Sequence, residues 1–168
     1  MAIQTDRSAS PARLASDQLV AGAVLLGSAA LLLGALGFQY LGGLAPCPLC
    51  VWQRVPHAVV IVLLLSSFFR LSTRLALALA ALALLVGAGI AGYHVGVEQG
   101  LLTSSCDGGL GATSLEDLRA QVMAQSGPAC SQVAWSLFGV SMAGWNLVAS
   151  LGLAALAVFG LFRRPGAA

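Results

Sequence analysis

The stretch Pro46–Phe69, PCPLCVWQRVPHAVVIVLLLSSFF, decides the fold because a segment with two cysteines runs directly into an apolar run. From Leu49 to Phe69 the chain is long enough for a helix that crosses ~30 Å of hydrocarbon, which takes ~20 residues. Three further runs of this kind lie near Leu19–Leu41, Leu75–Val97 and Val140–Phe162. The runs are rich in alanine and leucine and do not alternate as barrel strands do. We therefore predict an all-α fold, a bundle of four transmembrane helices.

Composition places the whole chain in the membrane class. Of its 168 residues, 58% are hydrophobic and 8% are charged, and the mean hydropathy is +0.90. A soluble domain carries about 25% charged residues. We expect a single integral membrane domain over residues 1–168. The basic residues are all arginines, and none forms a run that would follow a phosphate backbone, so we expect no nucleic-acid partner.

The arginines predict the orientation of the bundle. Four spans place both termini on one side, and the positive-inside rule makes the arginine-rich side cytoplasmic. Arg54 and Arg119 fall on the other side. The remaining arginines share the side of the termini: Arg7, Arg13, Arg70, Arg74, Arg163 and Arg164. We therefore expect both termini in the cytoplasm and the cysteines on the outer side, where disulfides persist. The first run follows Asp6 and Asp17 and is too long for a signal peptide, so we expect a retained span.

The outer segment from about residue 98 to residue 139 carries one predicted short helix, TSLEDLRAQVMAQ. Thr113 and Glu116 have the spacing of a capping box at its start. Leu115, Leu118 and Val122 recur on one face, which makes the helix amphipathic. Such a helix fits the membrane surface and fits packing against the spans equally well.

The cysteines form two pairs of different spacing. Cys47 and Cys50 form a CxxC, whose small ring gains little from loop closure, so we expect a reversible disulfide there. A bond between Cys106 and Cys130 would close about 25 residues and contribute roughly 3 kcal/mol. Four cysteines permit three pairings, and at this point all three stay open.

An arginine and a histidine follow the CxxC at helical spacing. If a helix begins near Pro48, a residue suited to a first turn, then Cys50, Arg54 and His57 share one stripe. The helix dipole and the guanidinium would both favour a Cys50 thiolate. An arginine inside the membrane needs a partner, and the thiolate together with a polar ligand would supply one. Pro56 should remove a helical hydrogen bond or kink the helix.

A dithiol at the membrane rim needs an electron acceptor that dissolves in the membrane. The chain has no haem-attachment motif, no dinucleotide fingerprint and no P-loop, so a lipid-soluble quinone fits by elimination. Other interpretations remain: zinc bound by cysteines, two structural disulfides, Arg54 as a snorkelling residue or His57 as a core histidine. His94 lies four residues before Glu98 and is either paired with it or a ligand contact.

Two motifs carry a family resemblance. FQYLGGLAPCPLCVWQR leads from an aromatic–Gln pair into P-C-x-x-C-x-x-x-R. CSQVAWSLFGVSMAGW places the second set at Cys130, Trp135, Gly139, Met142 and Trp145. Together with the four-span plan, these motifs resemble the disulfide bond formation protein B (DsbB) family, quinone-linked thiol oxidases of the bacterial inner membrane. The match around YHVGVEQG in the third span is looser, and many members have proline where this chain has Ala143.

The resemblance implies an enzyme, a disulfide-generating protein dithiol:quinone oxidoreductase. Its partner would be a periplasmic thiol oxidase of thioredoxin fold, similar to DsbA, whose thiolate attacks Cys106 of a Cys106–Cys130 disulfide. Freed Cys130 would exchange with Cys47 and leave Cys50 as the thiolate that faces the quinone. Arg54 would hold that thiolate and the quinone.

The remaining implications concern the quinone and the competing function. The acceptor would be ubiquinone or menaquinone from the membrane pool, with His57 and His94 as further candidate contacts. We assign no metal site. The competing function is a membrane scaffold or metal-binding module with structural disulfides.

Overall fold

Four long helices form the architecture of this chain, for which we analysed a computed structural model. The structure describes residues 11–69, 71–104, 106, 114–124 and 127–163. The elements are α1 (Pro11–Tyr40), α2 (Pro48–Trp52), α3 (Arg54–Ser66), α4 (Thr73–Glu98), α5 (Leu115–Ala124), β1 (Ser136–Leu137), β2 (Val140–Ser141) and α6 (Met142–Phe162). Segments long and apolar enough to cross a membrane are Leu14–Tyr40, Pro48–Ser66, Thr73–Glu98 and Met142–Phe162. The predicted four-helix membrane bundle is confirmed.

The second span is divided at Gln53 into α2 and α3. Pro56 has no backbone N–H, so it cannot donate to the carbonyl of Trp52 as an unbroken helix would require. The break at Gln53 agrees with the expectation that Pro56 would remove a helical hydrogen bond or kink the helix. The Pro56 ring also sets the packing of α3 on α4, since a Cβ added at Gly87 would lie 3.0 Å from the Pro56 Cβ. Glycine at position 87 therefore allows the close approach.

Helix α4 lies at the centre of the bundle and packs against α6, α3 and, less extensively, α1. Its contacts are made largely through alanines, which let helix backbones approach closely where no water is present to drive association. The buried cluster consists of Val20, Ala21, Val24, Val60, Leu64, Ala76, Leu77, Ala80, Ala81, Leu84, Ala154 and Ala157. Leu26, Leu82 and Val148 are exposed. Such side chains form the surface that a membrane would cover.

A two-residue hairpin precedes the last span. Strands β1 and β2 pair antiparallel, and the turn between them consists of Phe138 and Gly139, with φ of 53° and 76°. Positive φ at both central residues is the signature of the turn that matches strand twist. Trp145 Nε1 donates to the Leu137 carbonyl at 3.2 Å and so fastens the hairpin to α6.

The hairpin shortens the last helix relative to the sequence prediction. Helix α6 begins at Met142 rather than near Val140, because Val140 belongs to β2 and the Ser141 hydroxyl caps the helix by accepting from the Gly144 N–H. Ala143 is buried in the first turn of α6.

The predicted loop helix is present as α5, with a different cap from the one expected. The Ser114 hydroxyl accepts from the Asp117 N–H at 3.1 Å. Thr113, the predicted cap, lies outside the described residues, as do the side chains of Leu118 and Val122. Leu115 is exposed.

Replacement of Leu84 by alanine tests the packing of the core. Leu84 is fully buried, whereas Leu82 on the same helix is 60% exposed. We expect Leu84→Ala to lower the free energy of unfolding by about 1–3 kcal/mol, less than the ~2–5 kcal/mol of a water-soluble core, because leucine would leave lipid rather than water. Thermal unfolding in lipid measures this effect. An equal loss for the control Leu82→Ala would contradict the packing described here.

Candidate functional site

The cysteines come together at one end of the bundle. Cys47 and Cys130 are buried in one cluster with Val97, and Cys50 and Cys106 pack against it. Cys106 and Cys130 form a disulfide with a Cα–Cα distance of 5.8 Å, while Cys47 and Cys50 are free thiols. Of the three pairings that the sequence allowed, the structure therefore contains Cys106–Cys130. The two pairs therefore pack together in one cluster.

Cys47 lies at the start of α2 and acts as its cap. Its Sγ accepts from the Cys50 N–H at 3.2 Å, the bond that a capping side chain makes to the third residue of a helix. Pro48 occupies the first helical turn as expected. A side-chain hydrogen bond with Cys50, together with burial, raises the pKa of the Cys47 thiol above its usual range. Loss of the Cys47 proton is therefore disfavoured in this state.

A cavity of about 380 Å³ opens beside the free cysteines. This volume lies in the range of small-molecule sites, about 300–1,000 Å³, and the wall is mostly apolar. The polar and sulfur-bearing side chains of the wall include Cys47, Cys50, Gln53, Arg54, His57, His94, Glu98 and Asn146. The stripe of Cys50, Arg54 and His57 predicted from spacing therefore borders one cavity.

Arg54 is oriented by a residue of the first helix. Its Nη1 donates a short hydrogen bond to Gln39 Oε1, and Gln39 belongs to the aromatic–Gln pair that precedes the CxxC. The preceding residue, Phe38, packs against Trp135 with ring centroids 5.0 Å apart and the ring planes inclined by 48°. The Arg54 charge is near enough to Cys50 for a Coulomb attraction. Among the described residues, Arg54 Nε is one of three buried side-chain atoms without a hydrogen-bond partner.

A row of side-chain hydrogen bonds joins the two histidines across the cavity wall. His57 Nε2 contacts Asn146 Oδ1 at 2.9 Å, and Asn146 Nδ2 donates to Gln53 Oε1 at 2.8 Å. Gln53 Nε2 lies 2.6 Å from His94 Nδ1. His94 Nε2 in turn lies 3.2 Å from the Cys130 carbonyl oxygen and 3.6 Å from Cys47 Sγ.

The Cys130 carbonyl at the end of this row determines which group donates and which accepts in each hydrogen bond. The Cys130 carbonyl can only accept, so His94 Nε2 must carry a proton, and a neutral His94 then accepts at Nδ1. Gln53 therefore presents its NH₂ group to His94 and its oxygen to Asn146. Asn146 presents its oxygen to His57, so His57 is protonated at Nε2. Glu98 Oε1, 3.9 Å from His94 Nε2, adds a second acceptor on the same side.

The same reasoning leaves one nitrogen of His57 as an unfilled acceptor. His57 Nδ1 is a second buried atom without a hydrogen-bond partner among the described residues, and its residue borders the cavity. Since Nε2 carries the proton, Nδ1 offers a lone pair and no hydrogen. The cavity wall thus has a cationic donor in Arg54 and a neutral acceptor in His57.

Three side chains of the site also have the composition of a soft-metal site. Sγ of Cys47, Sγ of Cys50 and a ring nitrogen of His94 lie within 4.8 Å of one another. Thiolates and imidazole are ligands that zinc accepts. In the hydrogen-bond arrangement described above, however, His94 Nε2 faces a carbonyl as a donor and has no lone pair for a metal.

The structure thus brings every candidate site residue of the sequence to one end of the bundle. Gln53 and Asn146 were not among the candidates, although they complete the row between the histidines. Asn146 is the chain's single asparagine and lies within an apolar span. A polar side chain at such a depth needs a partner inside the protein, and this was the signal available in the sequence.

The chain resembles proteins that share one description. Residues 17–160 match the family model described as Disulfide bond formation protein DsbB. The protein named Disulfide bond formation protein B of Herminiimonas arsenicoxydans is 34% identical over 148 residues, 84% of this chain and 93% of the relative. The relative of that name from Stutzerimonas stutzeri is 30% identical over 162 residues, 90% of this chain and 99% of the relative. No solved structure matches the chain significantly.

Replacement of Asn146 by leucine tests the row of hydrogen bonds. The change leaves Gln53 Oε1 and His57 Nε2 without this partner, and each buried unsatisfied group costs about 1–3 kcal/mol. We expect a lower free energy of unfolding in thermal denaturation, with Val148→Leu on the exposed face of α6 as control. Adding Gln53→Leu to Asn146→Leu should lower the stability by less than the sum of the two single losses, since each single variant also leaves the other amide unpaired. Strictly additive losses would contradict the coupling.

Proposed function

The chain belongs to the disulfide bond formation protein B (DsbB) family, and we propose that it reoxidises a periplasmic dithiol protein and passes the electrons to a membrane quinone. Its membership makes it a membrane protein with an oxidoreductase role in disulfide formation. One observation is the main support for the specific reaction that we propose, protein dithiol:quinone oxidoreduction. Two cysteine pairs share a buried cluster that borders an apolar cavity with a cation in its wall.

The proposed route begins at the Cys106–Cys130 disulfide. Cys106 is half-buried and Cys130 is fully buried, so the thiolate of an incoming partner would reach Cys106 first. That attack forms a partner–Cys106 bond and releases Cys130 as a thiolate. A thioredoxin-fold dithiol similar to DsbA is the partner that the family implies.

The next exchange would transfer the electrons to the CxxC. Cys130 attacks Cys47 of a Cys47–Cys50 disulfide, and Cys50 leaves as a thiolate. The partner's second thiol resolves the first mixed disulfide and frees Cys106, which then restores the Cys106–Cys130 bond and releases Cys47. The state after this sequence has Cys106–Cys130 closed and the CxxC reduced, which is the pattern of bonded and free cysteines in the structure.

The cavity suits a quinone by its size, its apolar wall and its unpaired polar atoms. A bound quinone, ubiquinone or menaquinone, would accept two electrons and two protons. Arg54 has only donors and therefore suits the carbonyl oxygen of the oxidised form. The lone pair of His57 Nδ1 suits a hydroxyl of the reduced form. Arg54 Nε and His57 Nδ1 are both buried. We therefore propose that a small side-chain movement exposes them to the quinone.

The proposed setting is the bacterial inner membrane, with four spans in a single domain and both termini in the cytoplasm. Arginines near the end opposite the cysteines support this orientation through the positive-inside rule. There, Arg74 Nη2 donates to the Leu161 carbonyl, which places the start of α4 beside the end of α6. The cysteines would then face the periplasm, where their oxidised partner is needed.

Turnover with and without Cys130 is the first test of the route. Purified protein, a reduced thioredoxin-fold thiol oxidase and a soluble quinone should together yield quinol, measured by its absorbance. We expect Cys130→Ser to abolish steady turnover, because Cys106 then has no disulfide for the thiolate of the reduced partner to attack. Ser131→Ala, next to it in the chain, is the matched control.

Normal turnover of Cys130→Ser would refute the relay between the cysteine pairs. The competing function, a scaffold or metal-binding module, predicts that quinone does not change the oxidation state of the cysteines. Alkylation of membranes with and without quinone separates the two, because only the enzyme shifts Cys47 and Cys50 from thiols to a disulfide.

Replacement of Arg54 by methionine tests the cation beside Cys50. Without the guanidinium the thiolate loses an attractive charge, so alkylation of Cys50 at neutral pH should slow by about tenfold, measured by mass spectrometry. Turnover should fall as well, because the quinone loses its donor. Arg119→Met on exposed α5 is the control. An unchanged alkylation rate for Arg54→Met would show that the charge does not act on Cys50.

A further inference from the structure

Two amides connect the histidine beside the cysteines with the histidine in the cavity wall. Gln53 and Asn146 each use both ends of the amide, so each end is committed to one neighbour. Gln53 is itself buried, with 6% of its surface exposed. In such a place an amide cannot turn over without breaking two hydrogen bonds at once. The two amides therefore fix the order of donation: His57 donates to Asn146, Asn146 to Gln53, and Gln53 to His94.

We propose that Gln53 and Asn146 are positioning residues that hold His94 as an Nε2–H donor to the sulfur of Cys47. His94 Nε2 lies 3.6 Å from Cys47 Sγ and 3.2 Å from the Cys130 carbonyl, between the two cysteine pairs. With Nδ1 filled by the Gln53 NH₂ group, the ring proton can only be on the side of the cysteines. Without Gln53 the ring is held at Nε2 only, by the Cys130 carbonyl, and nothing fills Nδ1 to keep the proton from moving there.

The effect of this donor falls on one step of the proposed exchange. When the Cys106 thiolate bonds to Cys130 Sγ, the Cys47–Cys130 bond breaks and the electron pair leaves on Cys47. A hydrogen bond from His94 Nε2 stabilises that developing thiolate. Cys47 afterwards takes up a proton, which balances the one released by the partner's second thiol. This step rests on the proposed function, whereas the protonation state of His94 does not.

The protonation state can be read directly because the chain has two histidines. Full-length protein labelled with ¹⁵N at histidine, in lipid nanodiscs, gives two imidazole patterns in nuclear magnetic resonance spectra, and His57→Gln assigns them. We expect both rings neutral with the proton on Nε2. A proton on Nδ1 of His94 in the unchanged chain would overturn the proposal.

Gln53→Glu is the decisive variant because it replaces the NH₂ group that faces His94 and keeps the oxygen that faces Asn146. A carboxylate still accepts from Asn146 but cannot donate to His94 Nδ1, so His94 should gain a second proton and its ¹⁵N pattern should become that of an imidazolium. His94 left singly protonated in this variant would overturn the proposal. Ser150→Ala is the matched control, since Ser150 Oγ contacts His57 Nε2 from outside the row at 3.5 Å and its loss should leave both patterns unchanged.

The rate of exchange gives a second, independent readout. After rapid mixing with reduced partner, acid quench and alkylation measure how fast Cys47 is released. Gln53→Leu should slow this release by about tenfold, the value of one hydrogen bond to a charged group. Gln53→Glu should keep or raise the rate, because a charged His94 donates more strongly.

A merely structural role for Gln53 would slow both variants alike, and that outcome would overturn the proposal. If the chain shows no exchange with any dithiol partner, the proposed function fails. The ¹⁵N patterns then still decide whether the amides fix the His94 proton.

Discussion

The structure depends on how a permanent positive charge is held at the rim of an apolar bundle. Arg54 sits one turn beyond the CxxC, in the second span, where a charge is costly unless it is paired. Its hydrogen bond to Gln39 supplies a neutral acceptor but no counter-charge. The attraction to Cys50 supplies the charge when that sulfur is ionised. The guanidinium and an ionised Cys50 would therefore stabilise each other, and both border the cavity.

A second constraint is that every polar atom placed among these helices must find a partner inside the protein. Hydrocarbon offers no water to complete a hydrogen bond. The side chains from His57 to His94 satisfy one another in a single direction, and the obligate acceptor at Cys130 sets that direction for all of them. His57 Nδ1 and Arg54 Nε are left over. Both belong to the cavity wall, where the proposed quinone would find unfilled hydrogen-bond capacity.

The sequence predicted what depends on local pattern. Apolar run length gave four spans, and helical spacing put Cys50, Arg54 and His57 along one cavity. It did not predict the contact of Gln53 with Asn146, which are 93 residues apart, because the rotation of α6 against α3 is set by packing across the bundle. It also missed the hairpin at Phe138 and Gly139, since two-residue strands have too little alternation to be recognised. The pairing of Cys106 with Cys130 came from the family resemblance, as spacing left three choices open.

The hairpin of β1 and β2 limits how far Cys130, which precedes it in the chain, can move. Met142 N–H donates to the Trp135 carbonyl, and the Trp135 ring rests on Phe38, so residue 135 is anchored to two helices. Cys130 is joined to that anchor by five peptide units, which span at most about 17 Å when fully extended. Because Cys106 is bonded to Cys130, the disulfide that the proposed partner attacks is subject to the same limit. A short tether of fixed origin thus restricts where such a partner could dock.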